Sequence, residues 1–115
     1  MSVNDWLTAF LLTQVIEAPL YWIAAHTLSA PKRATYAFGA STLTHPVIWF
    51  CLPWQTSPYV PLLIVAETFV ITVEGLWGRL WNVPRYWKAS MVANVASLCV
   101  GSMIRWLLLY PKLAE

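Results

Sequence analysis

Six polar side chains interrupt otherwise apolar stretches of this 115-residue chain: Glu17, His45, Glu67, Glu74, Asn94 and Ser97. An ionised carboxylate at the centre of a hydrocarbon layer costs at least about 2.5 kcal/mol, so such groups normally pair, face a bundle interior or line a path. Two chemistries are open to them. Carboxylate and imidazole ligands suit a divalent metal ion such as Zn, Mn, Fe or Ni, and not a soft thiolate metal. Carboxyl groups crowded in a low dielectric can instead carry exchangeable protons. The residue types alone do not separate these roles. Glu17, His45, Glu67, Glu74 and Asn94 therefore form one candidate metal or proton site.

Helical spacing lets these residues converge. Gln14, Glu17 and Tyr21 are related by i+3 and i+4 and share a face, as do Ser41 and His45. Glu67 and Glu74 are seven residues apart, two turns with about 20° of drift. Ser90, Asn94, Ser97 and Gly101 form one straight stripe. Glu74 and Asn94 lie at similar depth and should meet if their helices are neighbours. Pro19 and Pro46 each follow a polar residue closely and free a backbone carbonyl about one turn back.

Several residues also have an ordinary structural reading. Ser97 and Gly101 form a small-xxx-small pair, expected to be a packing seam. His45 alone would be a hydrogen-bonded structural histidine, and His26 an interfacial one. Cys51 and Cys99 fit no metal or redox spacing and read as free thiols serving as small packing residues. Glu74 and Arg79 are half of a glutamate–arginine protease motif whose other members are missing. The Glu-x-x-His signature of soluble di-iron bundles is absent as well.

The elements that must position these residues follow from composition. The chain is 59% hydrophobic and 10% charged, against about 25% charged for a soluble domain. Twelve charged side chains cannot coat a globule of 13.1 kDa with a mean hydropathy of +0.59. A net charge of +2, with no basic run and no phosphate loop, excludes nucleic acid as a partner. Hydropathy marks four blocks, 6–28, 34–52, 59–80 and 86–109, each of the length needed to cross about 30 Å of hydrocarbon as a helix. None alternates with period two, which excludes an outer-membrane barrel. Ser29-Ala30-Pro31-Lys32-Arg33, the segment from Pro53 to Pro58, and Trp81-Asn82-Val83-Pro84-Arg85 read as loops. Loops this short force antiparallel neighbours. The expected fold is all-α: an integral membrane four-helix bundle, up-down-up-down, forming a single transmembrane domain over 1–115. Trp6, Trp54, Tyr59, Trp77, Trp81, Trp87, Trp106 and Tyr110 cluster at block ends and read as interfacial belts in contact with the lipid bilayer.

Positive charge gives a sidedness. Lys32, Arg33, Arg79, Arg85 and Lys88 fall at one end, against Arg105 and Lys112 at the other. Both termini, with Asp5 and Glu115, are then expected outside a bacterial inner membrane, and the first and third loops in the cytoplasm. The first block has no preceding Lys or Arg and contains Gln14, Glu17 and Pro19, so it reads as a retained span and not a cleavable signal.

The order of Glu17, Thr44-His45-Pro46-x-x-Trp49, Glu67, Glu74 and Asn94-x-x-Ser97-x-x-x-Gly101 resembles a loose group of small four-span bacterial membrane proteins of unknown function. That resemblance implies four helices around a shared polar core, and no activity. Many members of the group carry Gln where His45 stands. Three functions are open. The polar site could bind or move a cation or protons, with a homo-oligomer supplying the path. The chain could be an accessory or assembly subunit of a larger membrane complex, its polar layer acting as glue. An intramembrane enzyme using Glu and His as acid and base is the least supported.

Overall fold

The computed structural model describes the backbone of residues 3–113 and the side chains of residues 3–107. Tyr110, Lys112 and Glu115, used above for the belt and the charge bias, lie outside the described side chains. Four helices follow in order: α1 (Val3–Ala24), α2 (Ala30–Cys51), α3 (Tyr59–Leu80) and α4 (Tyr86–Leu113). No strand occurs among the described residues. Each helix packs on the next, and α4 closes the ring on α1, while the diagonal pairs make no close backbone approach among the described residues. With loops only at 25–29, 52–58 and 81–85, consecutive helices run antiparallel. The body is a rod of 51 × 26 × 24 Å.

Helix ends follow turn chemistry and not hydropathy, so α1 covers 3–24 against the expected 6–28, α2 covers 30–51 against 34–52, and α4 reaches 113 against 109. Pro31 sits in the first turn of α2, where a missing N–H is no loss. Lys32 and Arg33, expected in a loop, are therefore helical. Arg33 Nε donates to the Trp22 carbonyl at 2.6 Å and its guanidinium lies 4.5 Å from the Trp22 ring centre, fastening α2 to α1. The third loop is the expected one and closes α3 with a Schellman turn. Asn82 takes φ 55°, its N–H donates to the Arg79 carbonyl at 3.0 Å, and the Val83 N–H donates to the Gly78 carbonyl at 2.9 Å. Val83 is buried as the accompanying hydrophobic contact. At the other end, Trp54 Nε1 donates to the Ile48 carbonyl at 2.6 Å and caps the last turn of α2.

Three helices, α1, α3 and α4, are long and apolar enough to cross a membrane. Although α2 has the same 22 residues as α1 and α3, it carries Lys32, Arg33, Ser41, Thr42, Thr44 and His45 and falls short. Of the four expected spans, three thus have the length and apolarity to cross a membrane, and α2 is a more polar helix. The side-chain distribution is inverted relative to a soluble bundle. Buried positions include Glu17, Ser41, Thr44, His45, Glu74, Ser90 and Asn94, while Val15, Ile23, Ile64, Phe38, Leu80 and Trp106 stand exposed. Cys51 and Cys99 are free, as expected, but both are exposed and do not serve as packing residues. They lie on outward faces of α2 and α4.

The two ends of the rod differ. At the end of the first and third loops, Tyr21, Ala25, Tyr36, Ala37, Ala40, Val83 and Ala93 form a filled core. Trp77, assigned to the belt from sequence, is instead half-buried against this core, its Nε1 donating to the Tyr36 carbonyl at 3.1 Å. Towards the second loop the helices leave a cavity of about 340 Å³. Ser97 and Gly101 line it, and a Cβ added at Gly101 would meet nothing within 4 Å. The expected packing seam on α4 is therefore a cavity wall.

Candidate functional site

All five candidate residues, Glu17, His45, Glu67, Glu74 and Asn94, line that one cavity. Its lining runs from Asn94 and Glu74 beside the filled core to Tyr59 and Arg105 at the other end, both exposed. The Arg105 guanidinium lies 4.8 Å from the Tyr59 ring centre, joining α4 to α3 at the mouth.

Glu74 is the most heavily bonded member, almost fully buried on α3. Its Oε1 accepts from the Tyr21 hydroxyl and, at 3.1 Å, from Asn94 Nδ2. Its Oε2 accepts from Thr44 Oγ1 at 2.5 Å. One carboxyl group thus joins a donor from each of the other three helices. Asn94 Nδ2 also contacts the Tyr21 hydroxyl at 3.2 Å and the Ser90 carbonyl at 2.9 Å. The expected meeting of Glu74 and Asn94 is what the bundle shows.

Glu17 is buried on α1, one turn before Tyr21, and accepts from Ser41 Oγ at 3.0 Å. It lies close enough to Glu74 for the two carboxyl groups to interact, with Ser97 beside it. The donors Tyr21, Ser41, Thr44 and Asn94 are all neutral, so the pair is held by hydrogen bonds to uncharged groups. Gln14, on the same helical face, is not part of the pair. Its Nε2 bonds the Phe38 carbonyl at 3.0 Å and Thr42 Oγ1 at 3.2 Å, fastening α1 to α2.

His45 is buried farther along α2, in an aromatic setting. Its ring centre lies 5.5 Å from that of Phe10 and 6.0 Å from that of Trp49. Nε2 contacts Thr13 Oγ1 at 3.4 Å, and Nδ1 has no hydrogen-bond partner. Glu67 is half-buried on the cavity wall, two turns from Glu74 on α3. Among the described residues no three His, Cys, Asp or Glu side chains are grouped so as to hold a metal ion. The five residues thus share a cavity without converging on one ligand shell: Glu17, Glu74 and Asn94 cluster at the closed end, while the His45 ring is held between Phe10 and Trp49.

Sequence reasoning missed three donors, Tyr21, Ser41 and Thr44, as site members. Their helical spacing was visible. Their role was not, because Ser and Thr in a helix can bond their own backbone, as Thr44 also does to the Ala40 carbonyl at 3.4 Å. The available clue was that a buried carboxyl group needs donors at its own depth. No protein-family model, curated protein or solved structure matches the chain.

Proposed function

We propose that this chain is a small multi-pass membrane protein that binds protons or a small cation at the Glu17–Glu74 pair and exchanges them through the cavity. One observation carries the reading: two interacting carboxyl groups sit at the closed end of a cavity whose wall also holds Glu67 and His45. Two neighbouring buried carboxylates with no positive charge between them repel each other strongly. A proton shared between them, or a cation bound beside them, removes that repulsion. The partnerless Nδ1 of buried His45 supports an occupied cavity, since a buried polar atom ordinarily finds a partner such as water or a ligand. The absence of a three-ligand group among the described residues favours protons or a small cation over a chelated divalent metal.

Membrane residence is supported by the outward-facing apolar side chains and by three helices of spanning length. The positive-inside rule places the end bearing Lys32, Arg33, Arg79, Arg85 and Lys88 in the cytoplasm and both termini outside. The cavity is then entered from outside. A through path needs either a rearrangement of the Tyr21–Tyr36 core or a second copy of the chain, which is the basis for a homo-oligomer.

The full hydrogen bonding of Glu74 favours a second reading, in which the layer is structural glue within an accessory subunit of a larger complex. Proteoliposomes separate the two. With a pH-sensitive dye inside, wild type should relax an imposed pH gradient, or release protons when sodium, potassium or tetramethylammonium is added. Glu74→Gln and Glu17→Gln should each lose this response. Wild-type vesicles as tight and as silent as empty ones would remove passage, and purified wild type that takes up no more protons or cation than Glu74→Gln in a direct titration would leave only the glue reading.

A further inference from the structure

A second cavity, about 680 Å³ and so twice the volume of the first, lies in the groove between α1 and α4 at the opposite end of the rod. Leu20, Ile23 and Val92 form its apolar part, and His26, Arg85 and Lys88 are also among its lining residues. All three basic side chains are exposed, and none has a side-chain hydrogen-bond or ion-pair partner among the described residues. The contrast with Arg33, spent on Trp22, is direct. Arg85 and Lys88 also flank the N-terminus of α4, whose first turn presents unpaired N–H groups and the positive end of the helix dipole. No Asp or Glu lines the groove. Of the acidic residues, Asp5 and Glu115 are near the two chain ends, and Glu17, Glu67 and Glu74 line the other cavity.

We propose that this groove binds one anionic phospholipid, its phosphate held by Arg85, Lys88 and the start of α4, and its first methylenes laid over Leu20, Ile23 and Val92. Charge complementarity selects the headgroup. The apolar part, continuous with outward-facing Ile23 and Val92, selects an acyl chain over a free phosphate. The site rests on the membrane reading and is independent of the carboxyl pair.

The test uses the full chain in nanodiscs and native mass spectrometry. Mixed phosphatidylglycerol and phosphatidylcholine nanodiscs should yield one phosphatidylglycerol retained in preference to the neutral lipid. Near a membrane each Lys or Arg contributes about 1 kcal/mol towards an anionic lipid. Arg85→Asn with Lys88→Gln should thus lower the preference about thirtyfold. Asn is chosen because residue 85 has φ 51°, a left-handed conformation that Asn tolerates. Lys32→Gln with Arg79→Gln, at the same end but outside the groove, should leave the preference within twofold. Equal retention of both lipids by wild type, or an equal loss in both double variants, would overturn the site. A thermal shift given by inorganic phosphate alone that matches the shift given by phosphatidylglycerol would overturn the lipid assignment. Failure of wild type to enter neutral phosphatidylcholine nanodiscs would count against membrane residence itself, a separate outcome.

Discussion

Glu74 is the residue on which all four helices meet, and the bond from Thr44 is its most isolated support. Oε1 has two donors, Tyr21 and Asn94, whereas Thr44 is the donor to Oε2. Replacing Thr44 by Val keeps the shape and removes the hydroxyl. A buried acceptor stripped of its donor costs about 1–3 kcal/mol, tempered inside a membrane because other partners are found. Thr44→Val should therefore lower stability by about 1–2 kcal/mol, read as a fall in Tm in detergent, and Thr44→Ser should recover most of it. Equal Tm for all three proteins would remove Thr44 from the network. The carboxyl groups themselves were legible in the sequence, because a charged side chain in an apolar run has few places to go. Their donors were not: a Ser or Thr hydroxyl looks the same in sequence whether it bonds its own helix or a neighbour's carboxyl group.

Among the elements, α3 shows how a loop fixes a helix pair. Its Schellman turn brings the chain back so sharply that Gly78 lies against the start of α4. A Cβ at Gly78 would stand 2.9 Å from Tyr86 Cβ and 3.4 Å from the Tyr36 ring. Tyr86 Cβ is next to the backbone and cannot swing away. Gly78→Ala should destabilise by about 1–3 kcal/mol through overpacking. Gly101→Ala, where nothing lies within 4 Å, should be neutral or slightly stabilising through helix propensity. Paired thermal melts check both, and a Gly78→Ala protein as stable as wild type would show that the third loop has slack. Hydropathy located all four helices but misplaced both ends of α1, the start of α2 and the end of α4. It counts transfer energies, whereas a proline in a first turn or an αL residue in a last turn decides where a helix stops. The third loop was legible because Asn82, Pro84 and the polarity change coincide there.

At the scale of the molecule, the inverted distribution of polar and apolar side chains is the largest single feature. Composition had pointed to it, since twelve charges cannot coat 115 residues. The inward face was legible where a carboxyl group marks it, at Glu17 on α1 and Glu74 on α3, whereas the apolar residues around the rest of α1 do not tell one outer side from another. The proposed orientation predicts that, in a background lacking Cys51 and Cys99, a cysteine placed at Ser57 is labelled by an impermeant maleimide from outside intact cells, and one placed at Lys32 only after permeabilisation. Since Cys51 and Cys99 are exposed and outside the polar layer, their removal should not disturb the fold. Outside labelling of the Lys32 position would invert the topology and with it the side on which the glutamate cavity opens.

The different filling of the two ends has an electrical meaning. In the proposed orientation, a cavity filled with water down to Glu17 and Glu74 would carry the potential of the outer compartment to the carboxyl pair, and the packed Tyr21–Tyr36 core would take most of the drop. One elementary charge moved across a full membrane corresponds to about 2.3 kcal/mol per 100 mV. A proton or cation reaching the pair from the mouth would then cross little of the drop, whereas one passing on through the core would cross most of it, about 2 kcal/mol for each 100 mV. With the mouth outside and the interior negative, the resting voltage of a cell would leave filling from outside nearly unchanged and would act on the step across the core, so that the energised state of the membrane would set how readily the site empties inward.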